Sequence, residues 1–426
     1  MAWLSKYSSN PFIRNIAVMF SGNGLALVIP FLIAPLITRL YDPSDFASFE
    51  LFVKFLALIS VVTSLRYELA IVLPESDEES KLLTRLCFRI LMVFSVLACL
   101  VIPFSANIAE AFNNEGLAEL MWLFPIGVSV FGAYGVLVQV AMRLEKFRLL
   151  AGNKILSSTS NHGSKYLFGL IKPIPLGLVA GHILGSVVSL VSLVKNRSLK
   201  SWILDSVRQK GESKALIKKY KDFPIFNGTH AFYGEAYQTV LLLIISIGYG
   251  ELTLGLFAFA YRYLRVPVQV FGASLAQVLT PRISMMWNSG ESLRPLITKT
   301  LFSFLAVGVV PFGILYFFGE VIFGFIFGDE WIGAGRYAAI MAPWLLANFA
   351  VSPISILPTI VQKQKVFFII SLIFTLAIIA LVMWFYSLGY DFDVVLYIMS
   401  GGNVLLNLFL FFWFLVIAEK KTPTSE

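Results

Sequence analysis

Runs of about twenty apolar residues, broken by short polar gaps, recur along almost the whole chain. A helix needs roughly 20 residues to cross a hydrocarbon layer of about 30 Å. The pattern therefore predicts an all-α integral membrane protein with about twelve transmembrane helices. They fall at residues 13–37, 46–65, 86–104, 120–140, 155–171, 174–194, 223–247, 252–271, 301–326, 337–360, 366–388 and 394–418. The fifth carries the weakest signal, because residues 157–165 are almost entirely polar or small. Ser76 and Glu79 have the spacing of a capping box at the start of the third helix. Gly177, Gly181 and Gly185 line one face of the sixth, a pattern that lets helices pack closely.

The gaps alternate in charge. One set holds Lys81 and Arg85; Arg143, Lys146 and Arg148; the basic linker 195–222; Arg282, Arg294 and Lys299; and Lys363, Lys365, Lys420 and Lys421. The other holds Asp42 and Asp45, Glu110 and Glu115, Glu251, Asp329 and Glu330, and Asp391 and Asp393. Basic gaps stay on the cytoplasmic side. Both termini are then expected inside, in agreement with an even number of helices. The apolar run ending at Ile37 exceeds a signal-peptide core and is read as a retained first helix. The domain reading is an N-terminal six-helix bundle at 1–194, a cytoplasmic linker at 195–222 and a C-terminal six-helix bundle at 223–426.

A faint internal repeat accompanies this. Tyr41 precedes the second helix and Tyr249 the eighth, and Pro74 and Pro281 close the two segments at similar distances. Overlaying them sets Lys54 opposite Arg262, in halves related about an axis along the membrane normal.

Composition agrees with a lipid environment. The 426 residues are 58% hydrophobic and 14% charged, with 39 phenylalanines, more apolar surface than a soluble domain can bury. The net charge of +8 lies in the gaps and not on one soluble face, so no nucleic-acid partner is expected. Cys87 and Cys99 lie roughly 18 Å apart along one helix and cannot pair within the chain. No phosphate-binding loop occurs, and His162, His182 and His230 lack metal-ligand spacing. No enzyme activity, cofactor or metal is expected.

The informative residues are ionisable groups at depth, each of which needs a partner or a polar cavity. Lys54 lies about nine residues inside the second helix, and Arg262 about eleven inside the eighth, with Arg265 one turn further. Lys165 is mid-depth in the polar fifth helix. Glu235 is mid-depth in the seventh, near His230, and these two are candidates for binding a coupling ion. Structural pairs are the alternative, Lys54 with Glu50, and Arg262 or Arg265 with Glu235. Cations outnumber carboxylates at this depth, which favours an anionic cargo.

Several strings extend the reading. These are "NPFIRNIAVMFSGNGLALVIPFLIAPLITRLYDPSDFASFELF", "RYELAIVLPESDEES", "KKYKDFPIFN", and "FGDEWIGAGRYAAIMAPW" followed by "SPISILPTIVQKQK". In them the chain resembles the polysaccharide or O-antigen flippases (Wzx-type) of the multidrug/oligosaccharidyl-lipid/polysaccharide exporter superfamily. The resemblance implies two six-helix bundles around a central cavity, working by alternating access in a bacterial inner membrane. It implies a polyprenyl-diphosphate-linked oligosaccharide as cargo, an O-antigen, capsule or exopolysaccharide repeat unit flipped from the cytoplasmic to the outer leaflet. Membrane lipid, a proton or sodium as coupling ion, and glycan polymerase and chain-length proteins are the further candidate partners. On this reading Lys54, Lys165, Arg262 and Arg265 form a cationic cavity for the diphosphate. A multidrug/cation antiporter of the same superfamily is the alternative and would favour carboxylates in its cavity. A membrane glycan polymerase or ligase would need a large outward loop, and the outward gaps here are short.

Overall fold

The computed structural model describes residues 11–209, 211 and 213–419, and every regular element among them is helical. Eight described helices are long and apolar enough to cross a membrane. One of these, Phe223–Gly272, has 50 residues, or about 75 Å of helix, more than twice a hydrocarbon layer. Its backbone breaks at Gly250 (φ 82°, ψ 175°), a left-handed region that suits glycine. It is therefore two spans, the predicted seventh and eighth, which makes nine. The other three are Pro11–Ile37, Pro43–Ser60 and Phe147–Ile171, the first, second and fifth. They complete the expected twelve.

The second and fifth spans fall short on hydropathy because they carry the polar groups of the interior. Asp45, Glu50 and Lys54 lie on the second. The fifth, predicted over 155–171, begins eight residues earlier as Phe147–Ile171. Its polar stretch survives in a helix because neighbouring spans satisfy it. Asn153 Nδ2 donates to Ser189 O at 2.8 Å, Asn161 Nδ2 meets His182 Nδ1 at 2.7 Å, and Ser158 Oγ donates to Ala26 O at 2.7 Å. The sixth span, Pro175–Lys195, can come this close because of its glycine stripe. A Cβ at Gly181 would stand 2.7 Å from the Lys165 backbone nitrogen, and one at Gly185 would stand 2.6 Å from Asn161 Cβ.

Contacts divide the chain into two compact units between Gly255 and Leu256. In the first, the third span starts at the cap residue Ser76, whose Oγ accepts the Glu79 N–H at 3.3 Å. Only this half of the expected capping box forms, since the Glu79 carboxylate is taken by Lys219 Nζ (2.5 Å) and Tyr220 Oη (3.0 Å). The basic linker is itself helical, at Arg197–Arg208 and Ser213–Lys219. It is clasped to the third span through Lys81–Asp205 (3.0 Å), a Trp202 indole N–H donated to Thr84 Oγ1 (3.2 Å), and Arg85 donating to Gln209 O. Tyr67, Cys87, Leu199 and Trp202 pack in the core beneath it. Cys87 and Cys99 are both free thiols.

At the other end of this unit the acidic gaps converge. Ser48 Oγ donates to Asn114 Oδ1 at 2.9 Å, Ser246 Oγ donates to Phe112 O at 2.7 Å, and the Glu251 carboxylate accepts the Glu115 backbone N–H. The second unit is sewn by aromatic side chains. Phe259 packs against Phe327 and Trp331 with ring centres 5.0 and 4.2 Å away. Leu293, Ile297, Ile354, Leu357 and Phe414 form a second cluster. The outer faces are apolar, as lipid requires: the span Gln364–Ser387 buries only Ile378 and Val382, and Phe325 is 86% exposed.

Candidate functional site

Within the first unit, the second and seventh spans bring two of the sequence-selected residues together. Lys54 Nζ lies 3.7 Å from Glu235 Oε2 and donates a 2.6 Å hydrogen bond to Gln238 Oε1. Glu235 and Gln238 are three apart and share one face of their helix, so a single lysine reaches both. The carboxylate that the sequence offered to Arg262 or Arg265 is thus engaged by Lys54.

Beside this pair is a cavity of ≈ 350 Å³, whose lining includes Ser60, Ser64, Arg66, Glu68, His182 and Glu235. The second span ends here in an unusual turn. Leu65 (φ 49°) and Arg66 (φ 61°) are both left-handed, which costs non-glycine residues energy. The turn brings Glu68 back under the cavity, where Ser64 Oγ donates to Glu68 Oε2 and Arg66 Nη1 lies 3.5 Å from Glu68 Oε1. Ser60 Oγ and Arg66 Nε have no hydrogen-bond partner there. The wall thus offers hydroxyl, guanidinium, imidazole and carboxylate groups to a guest.

Lys165 is 5% exposed and stays near this region through aromatic contact. Its Nζ sits 4.2 Å from the centre of the Phe49 ring, a cation–π arrangement that steadies a charge away from water. Phe49 also meets the His182 ring edge-on at 5.7 Å. The Lys165 carbonyl accepts the Tyr41 hydroxyl at 2.9 Å. His230 is exposed at the start of its helix. Arg262 and Arg265 belong to the second unit. The Arg265 guanidinium lies 5.4 Å from the Tyr261 ring centre, and its Nε stands 2.9 Å from the Gln269 side-chain amide. Tyr261 in turn stacks on Trp344 at 5.5 Å.

Sequence reading overlooked Arg66 and Glu68, which fall just beyond the apolar run assigned to the second helix. A charged pair set against "LAIV" was the available signal. His182 was noted and given no role; its place one turn before Gly185, at the edge of the glycine stripe, was the clue.

Twelve membrane spans with charged groups held inside them define a multi-pass membrane protein. An inward-facing multidrug resistance MATE family transporter of the MOP superfamily has the same fold. Its TM-score is 0.72 at 13% identity, over 94% of this chain and 99% of that one. The lipid II flippase MurJ, inward closed, matches with a TM-score of 0.65 at 16% identity, over 94% and 90% of the two chains. A MATE structure in the bent conformation matches at 0.55 and 12% identity, over 97% and 96%. This likeness, over at least 94% of the chain in each case, agrees with the expected all-helical fold of twelve spans in two bundles. The chain belongs to the polysaccharide biosynthesis protein family, whose model matches residues 36–335. Comparison with curated proteins gives no match. Family and fold together make it a multi-pass membrane protein of polysaccharide biosynthesis.

Proposed function

We propose that the protein flips a polyprenyl-diphosphate-linked oligosaccharide from the cytoplasmic to the outer leaflet of a bacterial inner membrane by alternating access. It performs no catalysis. The observation that carries this reading is Lys54, an ammonium at depth that meets the Glu235 carboxylate and the Gln238 amide. A lysine is a compact point charge on a flexible stem, so Lys54 can leave Glu235 for a passing phosphate and return. Lys165, Arg262 and Arg265 supply further positive charge, and arginine adds bidentate contacts to phosphate oxygens. Membership of a polysaccharide biosynthesis family supports a glycan cargo.

The test is glycan display in cells depleted of their own flippase. Lys54→Gln should abolish display at normal membrane levels of the protein, while Lys54→Arg, which keeps the charge, should retain more. Full display from a Lys54→Gln, Arg262→Gln double variant would overturn the proposal.

A second reading has one observation in its favour. The cavity of the first unit carries two carboxylates, Glu68 and Glu235, as a multidrug/cation antiporter would use. Efflux of a cationic dye that depends on Glu68, with glycan display unaffected by its loss, would select that reading.

A further inference from the structure

A second cavity, of ≈ 600 Å³, opens among the converged acidic gaps of the first unit. It shares no lining residue with the one beside Glu235. Its polar lining is Glu110, Asn113, Asn114, Glu115 and Glu251, and its remaining wall is alanine. Like charges at this spacing repel, and no group of described residues there could hold a metal ion.

Asn114 says what kind of guest fits. It is 1% exposed. Its Oδ1 is occupied by the Ser48 hydroxyl at 2.9 Å, whereas its Nδ2 has no hydrogen-bond partner. A buried donor left unmade costs about 1–3 kcal/mol. The cavity therefore offers an unanswered amide nitrogen, with two N–H donors, beside three carboxylate acceptors. A hydroxyl group answers both, since it donates one hydrogen bond and accepts others. A sugar presents several hydroxyls on one rigid ring, and the volume is in the range of small-ligand sites, about 300–1,000 Å³. The negative charge rejects phosphate and uronic acid, and accepts neutral or amino-bearing sugars.

The geometry points to this cavity as a recognition site for the sugar end of the cargo, specific for neutral or amino-bearing residues. The idea rests on the glycan-flippase reading above. The two ends of the cargo would then be held by opposite charge: the diphosphate by the cations at depth, the glycan by this acidic chamber.

The experiment uses the whole protein in lipid nanodiscs and saturation-transfer NMR with an equimolar set of neutral and N-acetylated trisaccharides, with trigalacturonate as the acidic comparison. The wild type should transfer saturation to the neutral set and not to trigalacturonate. Asn114→Asp keeps the acceptor for Ser48 and replaces the free donor by an acceptor, so it should weaken the neutral signal at least tenfold. A Glu110→Gln, Glu115→Gln, Glu251→Gln triple variant should admit trigalacturonate. Retained thermal unfolding temperature and membrane level show that each variant is folded. No signal from the neutral set, or a signal indifferent to Asn114→Asp, overturns the proposal, as does binding of calcium ion alone. If Lys54→Gln abolishes glycan display while the trisaccharides fail to bind, only the chamber falls. If they bind here and display ignores Lys54, the cationic-transport reading falls instead.

Discussion

Lys54 on the second span and Glu235 on the seventh stand 3.7 Å apart, and the lysine donates a hydrogen bond to Gln238 Oε1 at 2.6 Å. Neither charge is fully enclosed, since their side chains keep 21% and 32% of their exposure. The pair is thus both a tie between two helices and a charge within reach of a guest.

Exchanging the partners separates those roles. A Lys54→Glu, Glu235→Lys double variant keeps an ion pair between the same two helices and moves the ammonium to the other one. We expect the double variant to recover the thermal stability that either single reversal loses. Glycan display should remain at least tenfold below wild type. Recovery of display together with stability would reduce the pair to a structural tie.

Glu235 is also the candidate for carrying a coupling proton or sodium ion. Glu235→Gln preserves shape and one hydrogen bond but cannot titrate. In proteoliposomes, transport by this variant should lose the dependence on the pH and ion gradients that the wild type displays. A variant with the wild-type gradient dependence would remove Glu235 from the coupling role.

Orientation can be read with a cysteine at the exposed Ser201 of the linker helix Arg197–Arg208. Ser206 on the same helix is buried and would report nothing. In a background with Cys87 and Cys99 replaced by serine, Ser201→Cys in intact cells should react only with a membrane-permeant maleimide. Labelling by an impermeant one would invert the expected topology.

The glycine stripe is open to a simple steric test. Gly181→Ala places a methyl 2.7 Å from the Lys165 backbone nitrogen, where backbone cannot yield cheaply. A loss of about 1–3 kcal/mol is expected, the usual cost of overpacking. Gly163→Ala, on the fifth span with nothing within 4 Å of its Cβ, is the control and should be close to neutral. Equal unfolding temperatures for the two would argue against the close approach.

Much of this architecture was legible in hydropathy, because lipid forces every backbone polar group into a helix and so makes the apolar runs themselves the elements. The boundaries were less so. Helices outlast the hydrocarbon layer, as at Asp77 before the third span, where the start is set by the Ser76 cap and not by lipid. The seventh and eighth spans read as separate runs because Gly250 and Glu251 interrupt the apolar sequence. At the site, depth alone singled out Lys54 and Glu235. Their pairing was hidden, because an i, i+4 neighbour such as Glu50 is the visible partner in sequence, whereas the observed one comes from another helix. Glu68 escaped for a different reason. Two left-handed residues with no glycine return it to the interior, and nothing in "SLRYE" announces that conformation.

The polar fifth span has one more consequence, and it concerns how the protein enters the membrane. A helix with Ser157, Ser158, Thr159, Asn161, His162, Ser164 and Lys165 in its middle partitions poorly into lipid when alone. Its hydrogen-bonding partners Ser189 and His182 lie on the sixth span, which is synthesised after it. The fifth span is therefore expected to enter the membrane together with the sixth, as one helical hairpin joined by residues 172–174. The glycines of the sixth span, which let the two helices meet, then matter to the insertion of the fifth as well as to its packing.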